Sequence, residues 1–175
     1  ALILLGLTGQ IAWTIENMYL NVFIYKVFKA SASDISLMVA ASAIVATLTT
    51  WIIGGISDYL GKRKYFISFG YLLWGISILG FRYILQDTYL ASLSLGIQLT
   101  ILIDCIMTFF GSSANDACLN AWLTDRGNES TRGTIEGVNA VLPILSMILV
   151  FGGFMSFNLD LIESWKTIFL IIGLS

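Results

Sequence analysis

Glu16 and Asp104 each stand near the middle of a long apolar run. A charged side chain at the centre of a bilayer costs about 2.5–3.5 kcal/mol on insertion scales, so an acid at that depth points to proton or cation chemistry. Around Glu16, the residues Gln10, Thr14, Asn17 and Asn21 follow at spacings of four, three and four, which places them on one helical face. Thr100, Asp104, Thr108 and Asn115 form a similar stripe on the second run, with Asp116 and Asn120 nearer its end. Carboxylates beside amide and hydroxyl oxygens can take up a proton, a sodium ion or a polar solute, and Asp104 is the candidate sodium ligand. The competing role is structural: such groups also satisfy one another as interhelical hydrogen bonds.

Other chemistry is excluded by composition. The 175 residues include no His and one Pro, which removes imidazole as base, metal ligand or pH sensor. No paired-acid catalytic motif stands out, and no His can activate a nucleophilic Ser, so an intramembrane enzyme is disfavoured. No cofactor and no resident metal is expected. Cys105 and Cys118 share one run, where a helix would hold them about 20 Å apart, too far for a disulfide. Nucleic acid is not an expected partner, because the sequence shows no footprint for it.

The elements that must position these residues are membrane helices. Hydrophobic residues make up 57% of the chain and charged ones 11%, against about a quarter charged in a soluble domain, and the mean hydropathy is +0.86. Six apolar runs are separated by short polar clusters, at 2–27, 35–57, 65–85, 89–123, 133–157 and 164–175. The expected fold is an all-α membrane bundle of six transmembrane helices, residues 1–175 forming one unit with an incomplete last helix. The chain opens on Ala without an initiator Met and ends inside an apolar run, so further sequence is expected on both sides. The dense Lys62, Arg63 and Lys64 cluster, with Arg126 and Arg132 in the fourth-to-fifth connection, places those connections in the cytoplasm. Pro143 inside the fifth run is expected to kink it.

The segment after the second run reads Gly54-Gly55-Ile56-Ser57-Asp58-Tyr59-Leu60-Gly61-Lys62-Arg63-Lys64. It resembles the signature of the major facilitator superfamily, Gly-x-x-x-Asp-x-x-Gly-Arg-Lys/Arg, with Gly54, Asp58, Gly61, Lys62 and Arg63 on the motif positions. Tyr59 departs from it where a basic residue is frequent, and Lys62 where Arg is usual. Asp125, Arg132, Gly133 and Gly137 are similar to the pattern these transporters carry between helices four and five. The resemblance implies a twelve-helix protein of two six-helix bundles, of which this chain is the amino-terminal one, with a central cavity and alternating access. It also implies that helices one and four line the cavity, and that Asp58, Lys62, Arg63, Asp125 and Arg132 form a gating network. The intramembrane acids on those helices are similar to those of sodium- or proton-coupled symporters of the melibiose type.

The expected function is therefore secondary active transport of a small polar solute, coupled to H+ or Na+, by a multi-pass protein of the plasma (inner) membrane. Its expected partners are the lipid bilayer, the solute, and either a carboxy-terminal six-helix half or a second copy. The alternative from another class is an oligomeric six-helix channel.

Overall fold

In the computed structural model, the described residues are 2–86, 92–126 and 129–174, and for side chains 3–86, 92–125 and 133–174. Their regular structure is helical throughout, in six continuous rods. The first rod joins α1 (Leu2–Thr14), a π-helical segment (Ile15–Tyr19) and α2 (Leu20–Phe28). The second and third are α3 (Ala32–Leu60) and α4 (Arg63–Ile84). The fourth joins α5 (Leu93–Gly111), a second π-helical segment (Ser112–Leu119) and α6 (Asn120–Arg126). The fifth is α7 (Glu129–Phe154) and the sixth α8 (Ile162–Leu174).

Local chemistry explains where the rods begin and end. Lys29, in the left-handed region at φ 54°, closes the first rod, and the Ala30 N–H reaches back to the Ile24 carbonyl at 3.2 Å. Two residues later a capping box opens α3. The Asp34 N–H donates to Ser31 Oγ at 3.2 Å, while the Ser31 N–H donates to Asp34 Oδ2 at 2.8 Å. Gly61 ends α3 at φ 62°, a conformation that costs a residue with a Cβ, and its N–H returns to the Ser57 carbonyl at 3.0 Å. These caps lengthen the second helix by three residues at each end relative to the apolar run at 35–57, because a satisfied helix end does not need apolar side chains.

Among the described residues, four helices are long and apolar enough to cross a membrane: 32–60, 63–84, 93–125 and 133–154. The all-helical expectation holds, and the count of six spans is not reached by that measure. The first rod has the length, but Gln10, Glu16 and Asn17 lower its hydropathy. The thirteen residues of α8 rise only about 20 Å against about 30 Å of hydrocarbon. α7 starts four residues before the expected 133 and runs unbroken through Pro143. Residues 87–91, where the connection after the third run was expected, lie outside the described residues.

The rods pair as first with fifth, second with fourth, third with fourth and third with sixth. An aromatic cluster fastens one end of this arrangement. Phe23, with no exposed surface, meets Phe28, Phe81, Trp165 and Phe169 edge-on, with ring centroids 5.0–6.2 Å apart. By contrast α3 buries only Met38, Thr49 and Ser57, and turns Ile44, Trp51 and Ile52 outward. An outward apolar face of this kind suits lipid or another helix, not water.

Candidate functional site

The two π-helical segments carry part of the polar chemistry. A π turn inserts an extra residue into a helix and rotates the following face, and such turns concentrate at functional sites. The segment in the first rod holds Glu16 and Asn17, and that in the fourth holds Asn115 and Asp116.

Glu16, Asn17 and Asn21 line a cavity of about 140 Å³ together with Asp104 and Thr108. Trp13 of the first rod and Met38, Val39, Ser42, Ala43 and Ala46 of α3 complete its walls. Thr108 Oγ1 donates to Glu16 Oε1 at 2.8 Å and ties the first rod to the fourth. Asn17 and Asn21 each donate an amide N–H to the helix's own carbonyls, of Trp13 and Asn17 respectively, both at 2.8 Å. Glu16 is 7% exposed and Asp104 1%. Ser42, whose hydroxyl donates to the Met38 carbonyl at 3.1 Å, lines the cavity beside the two acids. Three buried oxygens of the residues lining this cavity remain without a hydrogen-bond partner: Glu16 Oε2, Asn21 Oδ1 and Asp104 Oδ1.

The remaining polar residues are distributed elsewhere. Gln10 does not line the cavity, and its carbonyl accepts the Thr14 hydroxyl at 2.8 Å. Thr14 faces the fifth rod, where its hydroxyl meets that of Ser146 at 2.9 Å. The uniform face expected from Gln10 to Asn21 is therefore divided. Thr100 donates to the Gly96 carbonyl at 2.7 Å, a contact within its own helix. Asn115 and Asp116 form a second cluster, in which Asn115 Nδ2 donates to Asp116 Oδ1 at 3.0 Å. There the Tyr71 hydroxyl stands 3.0 Å from both Asn115 Oδ1 and the Leu5 carbonyl. Gly9 makes this crossing possible, since a Cβ there would come within 2.6 Å of Asn115 Oδ1 and 2.7 Å of the Tyr71 hydroxyl. Tyr71, Trp13 and Ser42 were not singled out in the sequence; a mid-run Tyr or Ser was the only signal they offered.

A third group lies at the end of α3 and the start of α4. Arg63 donates through Nε to Asp58 Oδ1 at 3.0 Å, and its guanidinium also pairs with Asp125. These positions were expected in loops but mostly stand on helices. Asp58 is in the last turns of α3, Arg63 opens α4, and Asp125 is in α6, leaving Gly61 and Lys62 as the break. Gly133, where the fifth run was expected to begin, lies within α7, and the Arg132 side chain is outside the described residues. Gly54 and Gly133 both face open space, so no neighbour within the described residues excludes a side chain there. At the opposite end, Lys26 pairs with Asp160 at 2.7 Å, and this contact holds the Asp160 carboxyl below its ordinary pKa.

A family model for the Major Facilitator Superfamily matches residues 2–175. No curated protein and no solved structure matches the chain.

Proposed function

The chain belongs to the Major Facilitator Superfamily, and from that premise we propose that it is the amino-terminal six-helix bundle of a secondary active transporter. The family makes it a membrane transporter. It moves a small polar solute by alternating access, coupled to H+ or Na+, in the plasma (inner) membrane. Glu16 and Asp104 are the coupling residues. The single observation that carries the reading is their convergence, from two different rods, on one small cavity in which each keeps a buried, unpartnered oxygen. Purely structural glue would consume those oxygens in interhelical hydrogen bonds, because an unmade buried bond is costly.

In this reading Asn17, Asn21 and Thr108 orient the carboxylates. The Arg63, Asp58 and Asp125 cluster supplies a contact that makes and breaks between states. A second six-helix bundle, or a second copy of this one, forms the opposite wall of the transport path.

Solute counterflow in liposomes tests the proposal. The full-length protein, preloaded with sugars, amino acids or organic acids in turn, is expected to exchange at least one of them across the bilayer. Conductance that rises without saturation as solute is added would instead support the six-helix channel.

A further inference from the structure

We propose that a groove between the first and fifth rods receives an apolar, ring-sized body carried by the transported solute, whose polar end meets Asn17. The proposal rests on the transporter reading and narrows its solute class. The groove holds about 620 Å³ and is lined by Met18 and Tyr19 of the first rod, by Phe151, Gly152 and Phe154 of the fifth, and by Met155 just beyond α7. Asn17 lines both this groove and the 140 Å³ cavity, so the two spaces meet at its side chain. The smaller space lies below the roughly 300–1,000 Å³ of small-molecule pockets, and the groove lies well within that range. A solute of more than a few atoms that reaches the first space therefore extends into the second.

The chemistry of the groove selects what enters it. No charged side chain is among its lining residues, so a polar body would lose its hydration there without compensation. A ring gains instead. Tyr19 stands 5.9 Å from both Phe151 and Phe154, centroid to centroid, and the buried Trp165 backs it at 6.3 Å. Rings braced in this way offer fixed faces and edges to a further aromatic group, and the two methionines adapt to its outline. Gly152 keeps the space clear. Glycine weakens a helix interior, yet a Cβ at Gly152 would meet nothing within 4 Å, so no neighbour among the described residues requires it. A lipid chain would suit the apolar wall but has no use for the Asn17 amide, whereas a solute with a hydrogen-bonding head uses both.

Photolabelling of the full-length protein in lipid nanodiscs tests this, with 4-benzoylbenzamide as the probe. It is a neutral, amide-headed pair of rings whose excited ketone inserts into methionine C–H bonds. Peptide mass spectrometry is expected to find the adduct on Met18 or Met155. Excess benzamide should suppress it, and acetamide, the head alone, should not. Gly152→Leu, which fills the groove, should lower the yield about tenfold or more through lost burial of a ring. Its unfolding midpoint should match the wild type, because the added side chain starts in open space. Gly152→Ala adds a single methyl group and should retain labelling, which separates blockage from misfolding. No adduct on either methionine overturns the proposal and would mean that another helix covers the groove. An adduct unchanged in Gly152→Leu overturns it as well. So does suppression by hexadecane equal to that by benzamide, which would assign the groove to a lipid chain. If counterflow persists while the labelling fails, the transporter reading stands and only the groove falls.

Discussion

Replacing Thr108 by Val removes one donor and almost no volume from the centre of the bundle. The Thr108 hydroxyl donates to Glu16 Oε1 at 2.8 Å, and Glu16 Oε2 has no partner, so the variant leaves both carboxyl oxygens buried without that bond. The magnitude depends on the acid's charge. A hydrogen bond to a neutral group contributes about 0.5–1.5 kcal/mol and one to a charged group about 1.5–3 kcal/mol. Neutral bonds between membrane helices average only about 0.6 kcal/mol, because the unfolded helices find other partners in the membrane. A double-mutant cycle of Thr108→Val with Glu16→Leu, which leaves no acceptor at position 16, read by reversible unfolding in mixed micelles, isolates the pair. The coupling energy is expected to be about 0.5–1.5 kcal/mol at acid pH and to rise toward about 1.5–3 kcal/mol as Glu16 loses its proton. Thr108→Ser should preserve it. A coupling energy indistinguishable from zero across that pH range would show that the two side chains do not meet, and the cavity geometry would fail with it.

Three further outcomes follow from other parts of the molecule. Asp58→Asn removes one of the two acids on Arg63; the carboxylates are more than half exposed, so the cost to stability is roughly 0–1 kcal/mol. Its solute exchange should nevertheless be slower than that of the wild type, and an unchanged rate in liposomes would exclude the gate. Gly9→Ala drives a Cβ against Asn115 and the Tyr71 hydroxyl, and overpacking of this kind costs about 1–3 kcal/mol; an unfolding midpoint equal to wild type would contradict the close crossing. Asp160 has its pKa lowered by Lys26, so its contribution is present above the ordinary aspartate pKa of about 3.9 and is lost as pH falls through the lower folded value. The small stability difference between wild type and Asp160→Asn should therefore vanish at strongly acid pH, and a difference that grows on acidification would reverse the assigned sign.

How far the fold could be read depended on which force set each feature. The apolar runs follow from solvation alone, and among the described residues four helices are long and apolar enough to cross a membrane. Their ends did not follow from hydropathy, because Ser31 with Asp34, Lys29 and Gly61 terminate helices through hydrogen bonds and backbone conformation. The acids were legible for an energetic reason: Glu16 and Asp104 are expensive in an apolar run. Their neighbours were harder to place. Counting at 3.6 residues per turn put Gln10 and Asn21 on one face, but the π turn at Ile15–Tyr19 shifts that count, so Asn21 reaches the cavity and Gln10 does not. The same effect in Ser112–Leu119 separates Asn115 from Asp104 and hands it to Tyr71. Contributions from α3, such as Ser42, depend on which rods pack together, and no periodicity within a single run carries that information.

Gradient-driven accumulation by Glu16→Gln and Asp104→Asn tests the central claim most directly, since each replacement keeps the side chain's shape and removes its charge. Full-length wild type and both variants would be reconstituted in liposomes, with uphill uptake and equilibrium exchange measured under imposed proton and sodium gradients. The account predicts that at least one variant loses accumulation while exchange persists. Both variants accumulating solute against its gradient with the ion dependence of the wild type would contradict it, and would place coupling outside this cavity.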